Sequence, residues 1–176
     1  MKTNSAALFV IGASGVGKTA AVQALEEQSL PGVRCFYFDS IGIPTTEDMV
    51  RDFGSVEGWQ AVATERWVER LASELADGEL AVLDGQIRPS FLFPALAETP
   101  LSRYQVLLLD CEPDVRVNRL TGRGQPDLAT QQMDMWAAYL RGQADALDLP
   151  VLDTSTLTVS EVVEALAAEL GRLRAS

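Results

Sequence analysis

The chain contains no histidine. That excludes imidazole general bases and histidine metal ligands at a stroke. Cysteine is nearly as scarce. Cys35 and Cys111 are the two present, each in or beside an apolar run, and neither has a partner at metal-ligand spacing. They read as free buried thiols of a reducing compartment. Positive charge is also short: 14 lysines and arginines stand against 25 acids, for a formal charge of −11. An acidic surface repels phosphate polymers, which argues against a general nucleic-acid or anionic-membrane binder but not against a small basic pocket for a small anion. No apolar stretch is long enough to span a bilayer. The opening MKTNSAALFVIGASG has one lysine and a short apolar run cut by glycines, too brief for the core of a signal peptide. The expectation is a cytoplasmic protein with a single domain over residues 1–176, without repeats, low-complexity tracts or linkers.

Against these absences stands a regular alternation. Apolar runs at 8–11, 33–38, 80–83, 106–109 and 151–152 do not alternate with polar residues, which predicts about five strands buried on both faces. Helices fit between them. One covers 18–28 and stops at Pro31-Gly32. Another carries an apolar stripe through Trp59, Ala63, Trp67, Leu71 and Leu75. Pro113 opens a third, a fourth covers roughly 128–146, and Thr158 with Glu161 forms a capping box before the last. Strands separated by helices predict an α/β fold of three layers, a parallel sheet with helices on both faces. Residues 40–55 are the least regular and read as a loop plus a short helix over one edge of the site.

Gly12-Ala13-Ser14-Gly15-Val16-Gly17-Lys18-Thr19 matches G-x-x-x-x-G-K-[ST] in full, between a predicted strand and a predicted helix. Glycines allow the backbone to curl so that successive N–H groups converge on a phosphate, and the helix start adds partial positive charge. In such a P-loop the lysine reaches the β- and γ-phosphates and the hydroxyl residue meets Mg²⁺. These roles fall to Lys18 and Thr19. No N-K-x-D base-reading motif of a small GTPase is present, and the chain is too short for a large motor ATPase.

Two further motifs, Asp84-Gly85-Gln86-Ile87-Arg88 and Arg119-Leu120-Thr121-Gly122-Arg123, resemble the D-G-x-P-R and R-x-x-G-R of adenylate kinase and the wider nucleoside monophosphate kinase family. The resemblance implies a P-loop NTPase fold with an acceptor-side insert at roughly 40–78 and a short lid at roughly 121–128. It implies that Asp84 orients Mg²⁺, that Arg88 grips the acceptor, and that Arg119 and Arg123 close on the phosphoryl in flight. Charge spread over the equatorial oxygens of that group suits such cation clamps. The plainer alternatives are a strand-end cap for Asp84, a helix-start surface residue for Arg88 and a solvated helix face for Arg119 and Arg116.

The pattern also departs from the family. Ile87 replaces the proline, and Leu92 stands where adenylate kinase reads adenine with glutamine. Thr46 to Arg51 matches T-G-D-M-L-R only in part, so Arg51 is a weak acceptor-binding candidate. Asp39, at the end of the second predicted strand, is similarly placed to an acid that contacts or deprotonates the acceptor hydroxyl in shikimate and gluconate kinases and in chloramphenicol phosphotransferase. A hydroxyl acceptor needs such a base; the alternative is a loop-capping acid. Trp59, Gln60 and Trp67 fit either a pocket wall or the core. The expected function is an ATP- and Mg²⁺-dependent kinase whose acceptor is an anionic alcohol or a nucleotide. The alternatives are a nucleoside monophosphate kinase proper and a nucleotide-binding regulator with no acceptor.

Overall fold

The computed structural model describes residues 4–176. Its centre is a five-stranded, wholly parallel sheet: β1 (Ala6–Ile11), β2 (Val33–Tyr37), β3 (Leu80–Gly85), β4 (Arg103–Asp110) and β5 (Val151–Asp153), in the spatial order β2-β3-β1-β4-β5. The first strand is thus the middle one. Each of its residues is buried, as the unbroken apolar run predicts.

Because strand side chains alternate, β1 feeds two cores. Ala7, Phe9 and Ile11 point into one with Trp67, Val68, Leu71, Leu92 and Leu140. These come from α3 (Val56–Glu74), α4 (Pro89–Ala97) and α6 (Gln131–Ala146). Ala6, Leu8 and Val10 point into the other with Val22, Leu25, Val163, Leu166 and Leu170. These belong to α1 (Lys18–Glu27) and α7 (Val159–Ala175). The three-layer architecture expected from the sequence is the one observed. The capping box is also present: the Thr158 hydroxyl accepts from Glu161 N, and the Glu161 carboxylate accepts from Thr158 N.

Some boundaries differ from the expected ones. The second strand stops at Tyr37, and Phe38–Ile41 form a 3₁₀ turn, so Asp39 stands on that turn rather than on the strand. Residues 40–55 contain α2 (Thr46–Phe53), capped by Thr45. The helix expected from 128 begins at Gln131, because Thr130 caps it and Pro126–Leu128 take their own 3₁₀ turn. Helix α4 appears in the sequence reading only as a helix start at Arg88, which is its N-cap. No helix among the described residues is long and apolar enough to cross a membrane.

Candidate active site

Two clefts open side by side at the C-terminal ends of the strands, where an open parallel sheet offers its crevice. One, of about 760 Å³, lies over the glycine loop; the other, of about 860 Å³, lies between the 38–60 region and α6. Asp39 and Gln86 line both and form the seam between them.

The first cleft is made by backbone shape. Gly12 leaves β1 at φ +154°, and a Cβ there would lie 2.5 Å from the Leu109 carbonyl oxygen. Gly15, at φ +87°, rests on α5 (Pro113–Gly122): a Cβ would meet Arg116 Cγ at 2.8 Å. Only glycine fits either place. Ser14, Gly15, Gly17, Lys18 and Thr19 line the cleft. Gly12, Ala13 and Val16 stand behind it, buried. There the Ala13 carbonyl accepts a 2.9 Å hydrogen bond from Lys18 Nζ.

Lys18 is 6% exposed, and burial pushes its ammonium down to about 8; Asp84 and Asp39 oppose that shift and Arg123 adds to it. Asp84 is also buried, and burial pushes its carboxyl up, against the pull of Lys18 and of the Thr19 hydroxyl. Thr19 Oγ1 donates to Asp84 Oδ2 at 2.6 Å. A hydroxyl and a carboxylate side by side are hard oxygen donors of the kind Mg²⁺ takes, the remaining positions falling to phosphate and water. These residues fit a magnesium nucleotide. Arg123 lines the same cleft from the far side.

Arg119 requires a correction. Its guanidinium lines neither cleft. It donates to the Val16 carbonyl at 3.3 Å, to Thr154 Oγ1 at 2.9 Å and to the Thr154 carbonyl at 2.6 Å. These contacts brace the loop from the α5 side. Arg116 is 3% exposed and pairs with Asp134 at 2.5 Å under Gly15, so it is a buttress and not a solvated face. Arg51 is corrected too. It is exposed, held by Asp48 and Asp52 on its own helix, and lines neither cleft. The displacement follows from sequence distance: the segment matching the motif sits farther along the chain than the motif requires.

The second cleft is made by side chains. Phe38 is buried between Trp59 and Trp67, and Trp67 Nε1 donates to the Phe38 carbonyl at 3.0 Å. Gly85 permits this approach, since a Cβ there would sit 2.7 Å from Phe38 Cβ. The turn carrying Asp39 is thereby fixed against β3. Trp67 is wholly core, whereas Trp59 and Gln60 reach the cleft wall. Arg88 lies in the cleft, its Nε donating to Gln60 Oε1 at 3.0 Å and its guanidinium 4.7 Å from the Trp136 ring and 5.3 Å from Tyr139. Trp136 and Tyr139 stack at 5.4 Å.

Sequence reasoning missed this aromatic wall. It also missed Gln86, whose Nε2 donates to Ser14 Oγ at 2.9 Å, and Thr154, whose hydroxyl donates to the Val16 carbonyl at 2.7 Å. Trp136 and Tyr139 are three apart on a helix, a spacing that also fits core packing. Only Gln86, inside the 84–88 motif, carried a local signal.

Solved structures share this fold. A gluconokinase from Sinorhizobium meliloti 1021 aligns with a TM-score of 0.66 at 20% identity, over 96% of this chain and 93% of that one. The fold is that of the P-loop kinases. A tunicamycin resistance protein from Deinococcus radiodurans aligns with a TM-score of 0.66 at 22% identity, over 95% and 96% of the two chains. Shikimate kinase from Acinetobacter baumannii, in complex with shikimate, aligns at 0.61 and 15% identity, over 93% and 92%. No protein-family model matches the sequence, and no curated protein matches it.

Proposed function

We propose that this chain is a cytoplasmic small-molecule kinase that transfers the γ-phosphoryl group of ATP, with Mg²⁺, to a hydroxyl. The observation that carries this reading is the seam: one acid, Asp39, lines both the phosphate-loop cleft and a second, larger cleft. A second cleft beside the phosphate loop favours an acceptor over a regulator that only binds nucleotide. The solved P-loop kinases of gluconate and shikimate, both polyhydroxy acids, support an alcohol acceptor.

The loop amides and the start of α1 hold the β- and γ-phosphates, with Lys18 as their buried cation. Thr19 and Asp84 would hold Mg²⁺, which would neutralise phosphate charge when bound. The acceptor hydroxyl approaches from the second cleft. Its oxygen forms a bond to the γ-phosphorus as the bond from that phosphorus to the bridging oxygen breaks, and ADP leaves with the electron pair. The hydroxyl proton passes to Asp39. Arg123 offsets the charge on the equatorial oxygens. Arg119 and Arg116 act as positioning residues by holding the loop.

The test is an ADP-release assay over a panel of alcohols with Mg²⁺ and either ATP or GTP. An acceptor that stimulates release in the wild type and fails in Lys18→Ala is the expected result. The absence of any heat on titrating MgATP or MgGTP into the protein would remove the reading.

A further inference from the structure

The second cleft differs in character from the first. Its charged lining consists of Asp39, Glu57, Asp127 and Arg88: three carboxylates against one guanidinium. That guanidinium is already engaged. Besides Gln60 it meets Glu57, with Nη2 3.8 Å from the carboxylate, and it lies against the faces of Trp136 and Tyr139. Glu57, 61% exposed, only loosely offsets that charge, so the anion-repelling character of the cleft rests on its three carboxylates against one guanidinium.

The remaining wall is largely apolar. Met49, Val56, Trp59, Met133, Trp136 and Tyr139 line it. Apolar side chains also guard the mouth from opposite sides, Ile43 from the 38–53 segment and Leu128 and Met135 from the start of α6 and the turn before it; Ile43 is 56% and Met135 66% exposed. They add apolar surface at the cleft that an apolar ligand would cover. A volume of about 860 Å³ sits high in the range of roughly 300–1,000 Å³ that holds drug-sized ligands.

We infer that the acceptor is an uncharged amphipathic alcohol with a flat apolar or aromatic body, and not the anionic alcohol or nucleotide expected from the sequence. The inference rests on the kinase reading for the word acceptor, but the cleft's preference can be tested without turnover. The apolar body lies between the methionines and the Trp136–Tyr139 stack, where thioethers and rings adapt to a flat partner. The hydroxyl emerges at the Asp39 seam. Glu57 and Asp127 act as specificity determinants by repelling anions.

The probes are a matched pair, 3-phenylpropane-1,2-diol and 3-phenyllactate, which differ by a carboxylate in place of a CH₂OH group. Glycerol is the control without a body; gluconate and AMP are the anionic comparisons. Binding is read by tryptophan fluorescence of the whole chain without nucleotide, since Trp59 and Trp136 line the cleft. Transfer is read separately by ³¹P NMR with MgATP. The diol is expected to bind at least about tenfold more tightly than phenyllactate or glycerol. In the double variant Glu57→Gln, Asp127→Asn the penalty on phenyllactate should shrink several-fold. Equal or tighter binding of phenyllactate, gluconate or AMP overturns the inference, as does a diol that gives no saturable quench or a penalty unchanged in the double variant. Saturable binding of the diol without transfer to any alcohol sinks the kinase reading and leaves the cleft preference standing. Transfer to gluconate alone does the reverse, and transfer to AMP alone sinks both.

Discussion

The two clefts differ in what builds them. The phosphate side is a contiguous run, residues 12–19, whose geometry is backbone: positive φ at Gly12, Gly15 and Gly17, and close approaches that forbid a Cβ at Gly12 and Gly15. The acceptor side is assembled from segments far apart in the chain, and its walls are side chains. Backbone recognition suits a ligand that never changes, the triphosphate tail. Side-chain recognition can be rewritten one residue at a time, so a shared fold leaves the acceptor open.

Lys18→Ala should break the phosphate side alone. Transfer from ATP should fall by about 10³-fold, while circular dichroism and the acceptor's fluorescence titration remain as in the wild type. Loss of acceptor binding in that variant would show that the two sides are not independent. Asp39→Asn strikes the seam. Turnover should fall by about 10²-fold with little change in the calorimetric affinity for MgATP; a large loss of nucleotide affinity would reassign Asp39 to the phosphate side.

Gly12→Ala should cost about 2 kcal/mol in urea unfolding. Ala13→Gly, one residue along, makes a fair control, and equal effects would mean that the close approach to Leu109 does not matter. Proton linkage gives a smaller effect. Lys18 keeps its charge below pH 8 in the free protein. Bound phosphates favour that charge, so above pH 8 binding must take up a proton, and MgATP affinity should fall by up to about tenfold per pH unit. The unfolded chain holds the proton up to the ordinary lysine value of 10.5. Lys18 should therefore contribute a stability that rises with pH between about 8 and 10.5, a contribution that Lys18→Met removes and that Cys35, whose thiol burial raises to about 11, opposes above pH 9. Calorimetry in buffers of different ionisation enthalpy measures the uptake. Arg51→Ala should have the smallest effect, leaving turnover within about twofold, since an exposed ion pair contributes little. A larger loss would restore Arg51 to the acceptor side.

The same contrast explains what could be read without coordinates. Gly12 to Thr19 is legible because backbone geometry is written in consecutive residues. The strands at 6–11 and 80–85 are legible because burial on both faces leaves an unbroken apolar run. Helix α4 was not, since Pro94 within it breaks the pattern that marks a helix. Asp39 lies two residues beyond its strand, but nothing local announces that Trp67 anchors its turn. The wall of Trp136 and Tyr139 depends on where α6 docks, and docking is a property of the whole sheet. The contacts of Arg119 are not legible, because an arginine pattern gives spacing but not direction. The carbonyls of Val16 and Thr154 take up its donors.

Thr154 has a further consequence. Its hydroxyl is bonded to Val16 across a sequence separation of 138 residues, and β1 finds both of its sheet neighbours later in the chain. During synthesis the glycine loop emerges first yet lacks its brace until β5 has been made and has docked. A nascent chain stalled before Thr154 would therefore display a loop without grip on nucleotide, and the ability to bind ATP should arise late, nearly together with the completed sheet.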